Sequence, residues 1–358
     1  MAEDAAELFT MAADGSNPVN LTPGSGNFTT EVDPTFSPDG KRILFARADG
    51  SDFDIFSINA DGSGLTNLTA SNTTTDTTPA FSPDGRMIAF ARDVGAGNID
   101  VFLANADGSG AVDITPSRTM NNDAEPDFSP DGKRIIFRTA DGGDSDIFSM
   151  GVDGSNPLNL TEDNPGGDED AVYTPDGKHV ALSRDADPGP GLNYDIFLIN
   201  AADGSGAVDV LTGPTTDRDP APSPDGQRLA FDRAADVWIA RIDGSGGATN
   251  LTGTDDGVRP RWEYVYNCAG RRATLIGSDS SEVIKGTKRA DVIVGDGGND
   301  KLLGRGRNDR ICGGTGADKL KGGAGNDRLL GQAGKDKLTG GKGKDVLKGG
   351  KGKDVEKQ

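Results

Sequence analysis

Five copies of one turn motif constrain most of this 358-residue chain. The motif reads FSPDG at Phe36–Gly40, Phe81–Gly85 and Phe128–Gly132, YTPDG at Tyr173–Gly177, and PSPDG at Pro222–Gly226, with spacings of 45, 47, 45 and 49 residues. Each copy leads into a segment whose apolar residues stand two apart: Ile43 and Phe45, Ile88 and Phe90, Ile135 and Phe137, Val180 and Leu182, Leu229 and Phe231. Period-two alternation of β-branched and aromatic residues specifies strand. A second strand follows in each repeat, at Asp54, Asp100, Asp146, Asp195 and Asp236, and ends in an Asp-Gly-Ser turn. Glycine tolerates the positive φ that such a hairpin needs. Four short strands per repeat, with no helical period between them, make a propeller blade.

The two ends of the repeat region complement each other. Glu7-Leu8-Phe9 through Ser16 repeats the second strand and its turn, whereas Arg259-Pro260-Arg261-Trp262 repeats the first strand without the SPDG turn. One blade shared between the ends brings the count to six and removes free sheet edges. These motifs resemble the TolB-like propeller repeat, the SPDG-containing relative of the WD repeat, over about residues 7–266. The resemblance implies a six-bladed propeller. It leaves function open, because such propellers serve as docking platforms, as gates on peptidases and as lyase scaffolds.

At Gly277 the period changes to nine. Glycine recurs in phase to Gly349, and an acid recurs from Glu282 through Asp291, Asp300, Asp309, Asp318, Asp327, Asp336, Asp345 and Asp354. Two residues after each acid down to Asp345 stands one large aliphatic residue, from Ile284 to Leu347. A six-residue turn with a three-residue strand buries nothing alone, but a stack of such units builds a core. Clean units such as GGTGADKLK (313–321) resemble the hemolysin-type (RTX) nonapeptide repeat. That resemblance implies a parallel β-roll, two units per coil, with calcium between stacked loops. Asp300, Asp309, Asp318, Asp327, Asp336 and Asp345 are then the main metal-ligating candidates, with Asp291 and Asp354 weaker. Calcium takes six to eight oxygens, and glycines free backbone carbonyls to join the carboxylates. Two loops depart from the pattern: TKRAD at 287–291, and the loop with Arg307 in place of glycine. Lys335, Lys344 and Lys353 stand beside candidate ligands, which lowers affinity or lets lysine act as the countercharge.

The expected architecture is therefore all-β: a propeller over 1–266 followed by an RTX-type roll over 267–358. Charge divides the same way. Residues 1–267 carry 17 Lys and Arg against 45 Asp and Glu, and residues 268–358 carry 20 against 12. The acidic propeller disfavours nucleic acid, and the lysine-rich roll admits contact with a polyanion. No apolar run is long enough for a transmembrane helix, and the first sixteen residues lack the apolar stretch of a signal peptide.

Other candidates are few. Glu31, Asp76, Asp123, Asp168 and Asp217 recur three residues before the inner-strand proline or its equivalent, and so are expected to ring the mouth of the central channel. There they either bind a cation or basic peptide, or cap equivalent turns. A further acidic loop runs from Glu162 and Asp163 to Asp170. The sole histidine, His179, occupies a position held elsewhere by Arg42, Met87, Arg134 and Arg228, which marks a strand position rather than a catalyst. Cys268 and Cys312 form a disulfide in an exported chain or remain two thiols in a cytosolic one; the bridge is expected. The functional expectation is an exported, extracellular or envelope protein that binds Ca2+ through the roll and docks a protein or glycan on the propeller face, without enzymatic activity. Two alternatives stand: a propeller-scaffold hydrolase or lyase using channel carboxylates, and a TolB-like envelope assembly factor.

Overall fold

The computed structural model describes residues 7–23, 30–48, 52–70, 74–116, 122–141, 144–162, 164, 166–185, 193–211, 213, 215–252, 260–262, 267–268, 271–272, 275–276, 281–295 and 297–357. The chain divides into two compact units, Met1–Glu263 and Tyr264–Gln358, and the described residues contain strands and turns but no helix.

The first unit opens with β1 (Phe9–Thr10) and β2 (Val19–Asn20), an antiparallel pair. Five blades of four antiparallel strands follow. The first comprises β3 (Glu31–Phe36), β4 (Arg42–Ala48), β5 (Phe53–Asn59) and β6 (Thr66–Asn67). The second comprises β7 (Asp76–Phe81), β8 (Met87–Gly95), β9 (Asn98–Asn105) and β10 (Val112–Asp113). The third comprises β11 (Asn122–Phe128), β12 (Arg134–Asp141), β13 (Asp144–Gly151) and β14 (Leu158–Asn159). The fourth comprises β15 (Asp168–Tyr173), β16 (His179–Asp185), β17 (Tyr194–Asn200) and β18 (Val208–Asp209). The fifth comprises β19 (Asp217–Pro222), β20 (Arg228–Arg233), β21 (Asp236–Arg241) and β22 (Thr249–Asn250).

The alternating residues that defined the second strands form the core. Phe45, Phe90, Phe137 and Phe231 are fully buried, and Phe45, Phe90 and Phe137 each stack on the aromatic residue of the neighbouring strand at about 6 Å (6.0, 5.9 and 6.0 Å). The Asp-Gly-Ser turn has a second role that the sequence did not disclose. Its glycine, at positive φ, packs against a backbone carbonyl of the preceding blade, pairing Gly62 with Leu21, Gly108 with Leu68, Gly154 with Ile114, Gly204 with Leu160 and Gly244 with Val210. Gly15 completes the series against Leu251, which brings the start of the chain onto the fifth blade. Leu8 and Leu21 meanwhile pack with Ile43 and Phe45 of the first. A Cβ at Gly15, Gly108, Gly204 or Gly244 would collide with the carbonyl it faces, and at Gly62 and Gly154 the positive φ still disfavours a side chain. Trp262 donates its indole N–H to the Ala221 carbonyl at 2.8 Å, and Arg228 lies 5.0 Å over its ring, the contact that Arg42 makes with Phe81 at 5.3 Å. The rest of the expected closing strand lies outside the described residues.

The second unit begins with β23 (Asn267–Cys268) paired to β24 (Arg271–Arg272). Two parallel sheets then interleave along the chain. One contains β25 (Leu275–Ile276), β27 (Val292–Val294), β29 (Arg310–Thr315), β31 (Arg328–Ala333) and β33 (Val346–Lys351). The other contains β26 (Val283–Lys285), β28 (Lys301–Gly306), β30 (Lys319–Ala324), β32 (Lys337–Lys342) and β34 (Val355–Lys357). Each residue pairs with the one 18 positions on, as Leu302 does with Leu320 and Leu320 with Leu338. Ile293, Leu302, Ile311, Leu320, Leu329 and Leu338 form the buried seam between the sheets. The central strands are longer than the three residues expected. The parallel ladder continues through the glycine corner, as in Gly323 to Gly341, because residues without side chains let neighbouring coils stay in contact there.

Candidate metal centre

The roll aspartates sit just before their strands and are buried: Asp300, Asp309, Asp318, Asp327 and Asp336 are each 1–2% exposed. The two carboxylate oxygens have different surroundings. Oδ1 accepts the backbone N–H of the aspartate one coil earlier. Asp300 donates to Asp318 at 2.8 Å, Asp309 to Asp327 at 2.8 Å, Asp318 to Asp336 at 3.0 Å and Asp327 to Asp345 at 2.9 Å. Oδ2 faces the glycine five residues upstream in its own unit. For Asp309, Asp318, Asp327 and Asp336 this oxygen is buried with no hydrogen-bond partner.

The glycine makes the cradle. A Cβ at Gly304 would strike Asp309 Oδ2 and lie 2.6 Å from the Gly322 carbonyl; one at Gly313 would strike Asp318 Oδ2 and lie 2.7 Å from the Gly331 carbonyl. A carboxylate oxygen and a carbonyl oxygen from the next coil thus converge beside each glycine. The electrostatics favour a cation. Burial pushes Asp309 up to about 6, with Asp327 and Asp291 adding repulsion. Burial likewise raises Asp318, Asp327 and Asp336, each also facing the carboxylate one coil on. Among the described residues, no three acid, thiol or imidazole side chains converge on one point. A hard cation here therefore takes its remaining oxygens from backbone, which suits calcium. The donor set fits the ion.

The candidates at the ends of the stack differ. The Thr287 backbone N–H donates to Asp291 at 2.6 Å and its hydroxyl also bonds the carboxylate, so the aberrant TKRAD loop caps its own acid. Asp354, half-exposed in the last coil, accepts the Asp336 N–H at 3.0 Å. Lys335, Lys344 and Lys353 point to solvent. Among the described residues, none of Asp309, Asp318, Asp327 and Asp336 has a lysine or arginine within ion-pair distance, so lysine does not serve as their countercharge.

In the propeller, the five acids expected at the channel mouth are buried and engaged internally. Asp76 takes Arg92 at 2.7 and 2.9 Å, Asp168 takes Arg184 at 2.7 and 3.2 Å, and Asp217 takes Arg233 through both oxygens. Glu31 lies 3.7 Å from Arg47, and Asp123 accepts the Thr139 hydroxyl at 2.8 Å. Each partner stands sixteen residues downstream, across the pair of innermost strands. Burial raises Asp168 and Asp217 while their arginines pull them down. Four of these contacts pair the acid with an arginine of the same blade, and the fifth, Asp123 with Thr139, is a hydroxyl hydrogen bond within its blade.

Sequence reasoning missed the residues two positions further on. Asp33, Thr78, Glu125, Asp170 and Asp219 each adopt positive φ at a register shift in the innermost strand. Their side chains link blade to blade. Asp33 accepts the Thr78 N–H at 3.3 Å, Thr78 the Glu125 N–H at 3.2 Å, Glu125 the Asp170 N–H at 2.8 Å and Asp170 the Asp219 N–H at 3.4 Å. The signal was present as a polar residue immediately before the inner-strand proline, but nothing in a sequence says that it bridges blades. His179 is exposed on β16, as a strand position should be. Asp163 lies outside the described residues. Cys268 and Cys312 are bonded, with Cα atoms 5.6 Å apart, among Val292, Val294 and Leu330.

A ring of four-stranded blades joined to a parallel roll of glycine- and aspartate-rich coils defines the class: a β-propeller with a nonapeptide-repeat module. Residues 25–125 and 73–236 match the TolB beta propeller domain, and 276–311, 303–338 and 330–355 match the RTX calcium-binding nonapeptide repeat (4 copies). The chain belongs to the TolB β-propeller domain family and carries RTX repeats. No curated protein matches it. Among solved structures it is similar to a putative TolB from Agrobacterium tumefaciens (21% identity, TM-score 0.56, covering 68% of this chain and 88% of that one). It is also similar to TolB from Acinetobacter baumannii (23%, 0.60, 72% and 62%). A chain of a nidogen/laminin complex shares the fold at 13% identity (TM-score 0.60, 73% and 95%). Likeness at these identities establishes the fold alone.

Proposed function

We propose that the chain is a calcium-dependent, non-enzymatic binding protein of the extracellular space or cell envelope, built as a propeller over 1–266 and a roll over 267–358. The observation that carries this reading is the stack of Asp309, Asp318, Asp327 and Asp336, each with one desolvated oxygen that lacks a donor. Leaving a buried anion uncompensated is costly, and a bound cation removes the cost. One aliphatic side chain per nine residues is too little to offset the ordering of a glycine-rich coil. Calcium therefore contributes folding energy to the roll, and millimolar extracellular concentrations make even weak sites effective. The disulfide supports the oxidising location.

The propeller serves as the docking platform for a protein or glycan. Of the acids expected at the channel mouth, Asp76, Asp168 and Asp217 are committed to Arg92, Arg184 and Arg233, which supports binding over catalysis. Isothermal titration of the intact chain tests the metal claim. Calcium binds with heat and a stoichiometry above one, and the Asp318→Asn, Asp336→Asn double variant loses sites. Equal heats for the variant and the parent would remove these aspartates from the site.

A further inference from the structure

The two sheets of the roll present different outer faces. The sheet containing β27, β29 and β31 is covered by β23, whose Cys268 packs on Val292, Val294 and Cys312 and is bonded to the last. No described segment covers the opposite sheet, β26-β28-β30-β32-β34. Its outward positions form two in-register rows. The first runs Val283, Lys301, Lys319, Lys337 and Val355, and the second runs Lys285, Leu303, Lys321, Thr339 and Lys357. Six of the ten are lysine, all six are exposed, and none is an acid. Lys301, Lys319 and Lys337 stand directly opposite one another on neighbouring strands about 4.8 Å apart.

Like charges at directly opposed positions repel and destabilise a sheet. The roll's aspartates do not relieve this, because they sit inside the turns, on the glycine side of the coil. The array needs an external anion, and its shape selects the kind. Five three-residue rows make a face about 10 Å wide and roughly 20 Å long. That seats one extended chain and is narrower than the roughly 12 Å major groove of a duplex alone. Single-stranded nucleic acid is held by aromatic stacking, and a membrane-entering face needs a continuous apolar side, whereas Val283, Leu303 and Val355, the apolar members of the rows, are nowhere paired with one another. The two rows contain no aromatic residue.

We infer that this open face binds a linear anionic polysaccharide along the strand-stacking direction, one lysine rank per sugar charge. The inference extends the docking role to the roll. It rests on the roll being folded as described, not on which ion folds it.

The test uses the intact chain in saturating calcium, with dextran sulfate as probe and uncharged dextran as control. The parent binds dextran sulfate and not dextran, and binding weakens steeply with added salt. The triple variant Lys301→Gln, Lys319→Gln, Lys337→Gln binds about tenfold or more weakly, the loss expected for three charge contacts. The loop variant Lys335→Gln, Lys344→Gln, Lys353→Gln removes the same charge elsewhere and stays within about twofold of the parent, well under the tenfold that one 1.4 kcal/mol step represents. Calcium titration of each variant separates a lost polysaccharide face from a lost metal site. Equal weakening by both triple variants overturns the inference, as does undiminished binding by the row variant. Binding to phosphatidylglycerol vesicles or to DNA in place of dextran sulfate overturns it as well.

Discussion

Asp318 carries two oxygens with opposite fates: one takes a backbone N–H from the preceding coil, and the other is buried beside Gly313 without a donor. Glycine at the head of each nonapeptide thus exists to leave room for a carboxylate. Gly313→Ala drives a methyl group into Asp318 Oδ2 and the Gly331 carbonyl. It should lower calcium affinity while leaving propeller unfolding unchanged, read by calorimetry and by near-ultraviolet dichroism. The raised pKa values fix a pH dependence. Asp309 is lifted from 3.8 to about 6, so the folded metal-free roll holds more protons than the unfolded chain between those values. Its stability is then highest in acid and falls as pH rises through about 6. Calcium binds the deprotonated form, so affinity falls as pH drops below 6, and binding there releases protons measurable by titration in buffers of different ionisation enthalpy. An affinity flat from pH 7 to 5 would contradict the assignment of Asp309.

At the scale of the element, the blades repeat a clip that joins the third strand to the fourth. Asp54 accepts from Asn67 and Thr69, Asp146 from Asn159 and Thr161, and Asp236 from Asn250 and Thr252. Two blades depart from it. Asp100 faces Asp113 and Asp195 faces Asp209, each in place of asparagine, and Leu211 replaces the threonine as well. Burial and the facing carboxylate push Asp100 and Asp195 up to about 6, and Asp195 Oδ1 has no hydrogen-bond partner. Asp209→Asn should restore the asparagine half of the clip and stabilise the propeller by about 1 kcal/mol at pH 7, the worth of one recovered hydrogen bond. The gain should shrink below about pH 6, where Asp195 takes up a proton; thermal melts at pH 5 and 7 decide it. In the roll, the disulfide closes a 44-residue span. Cys312→Ser should cost about 4 kcal/mol by loop entropy, seen as earlier denaturant unfolding of the roll alone.

At the scale of the whole molecule, six glycine–carbonyl contacts close the propeller, and Gly15 against Leu251 is the one that joins its ends. Deleting residues 1–23 should therefore uncouple the first and fifth blades and broaden the unfolding transition, rather than remove one blade and leave the others cooperative. Much of this organisation was legible because repeats announce themselves: SPDG, Asp-Gly-Ser and the nine-residue glycine phase each report a local backbone need. Contacts between strands were not legible. The partner sixteen residues beyond each inner-strand acid, arginine in four blades and Thr139 in one, the belt from Asp33 to Asp219 and the lysine rows all depend on register. Register is set only when strands pair.

The most direct test of the central claim is hydrogen–deuterium exchange on the intact chain with and without calcium. The account predicts that calcium, and not magnesium, protects backbone amides across 281–357 and leaves those of the propeller blades unchanged. Full protection of the roll in chelator, or equal protection by magnesium, would contradict it.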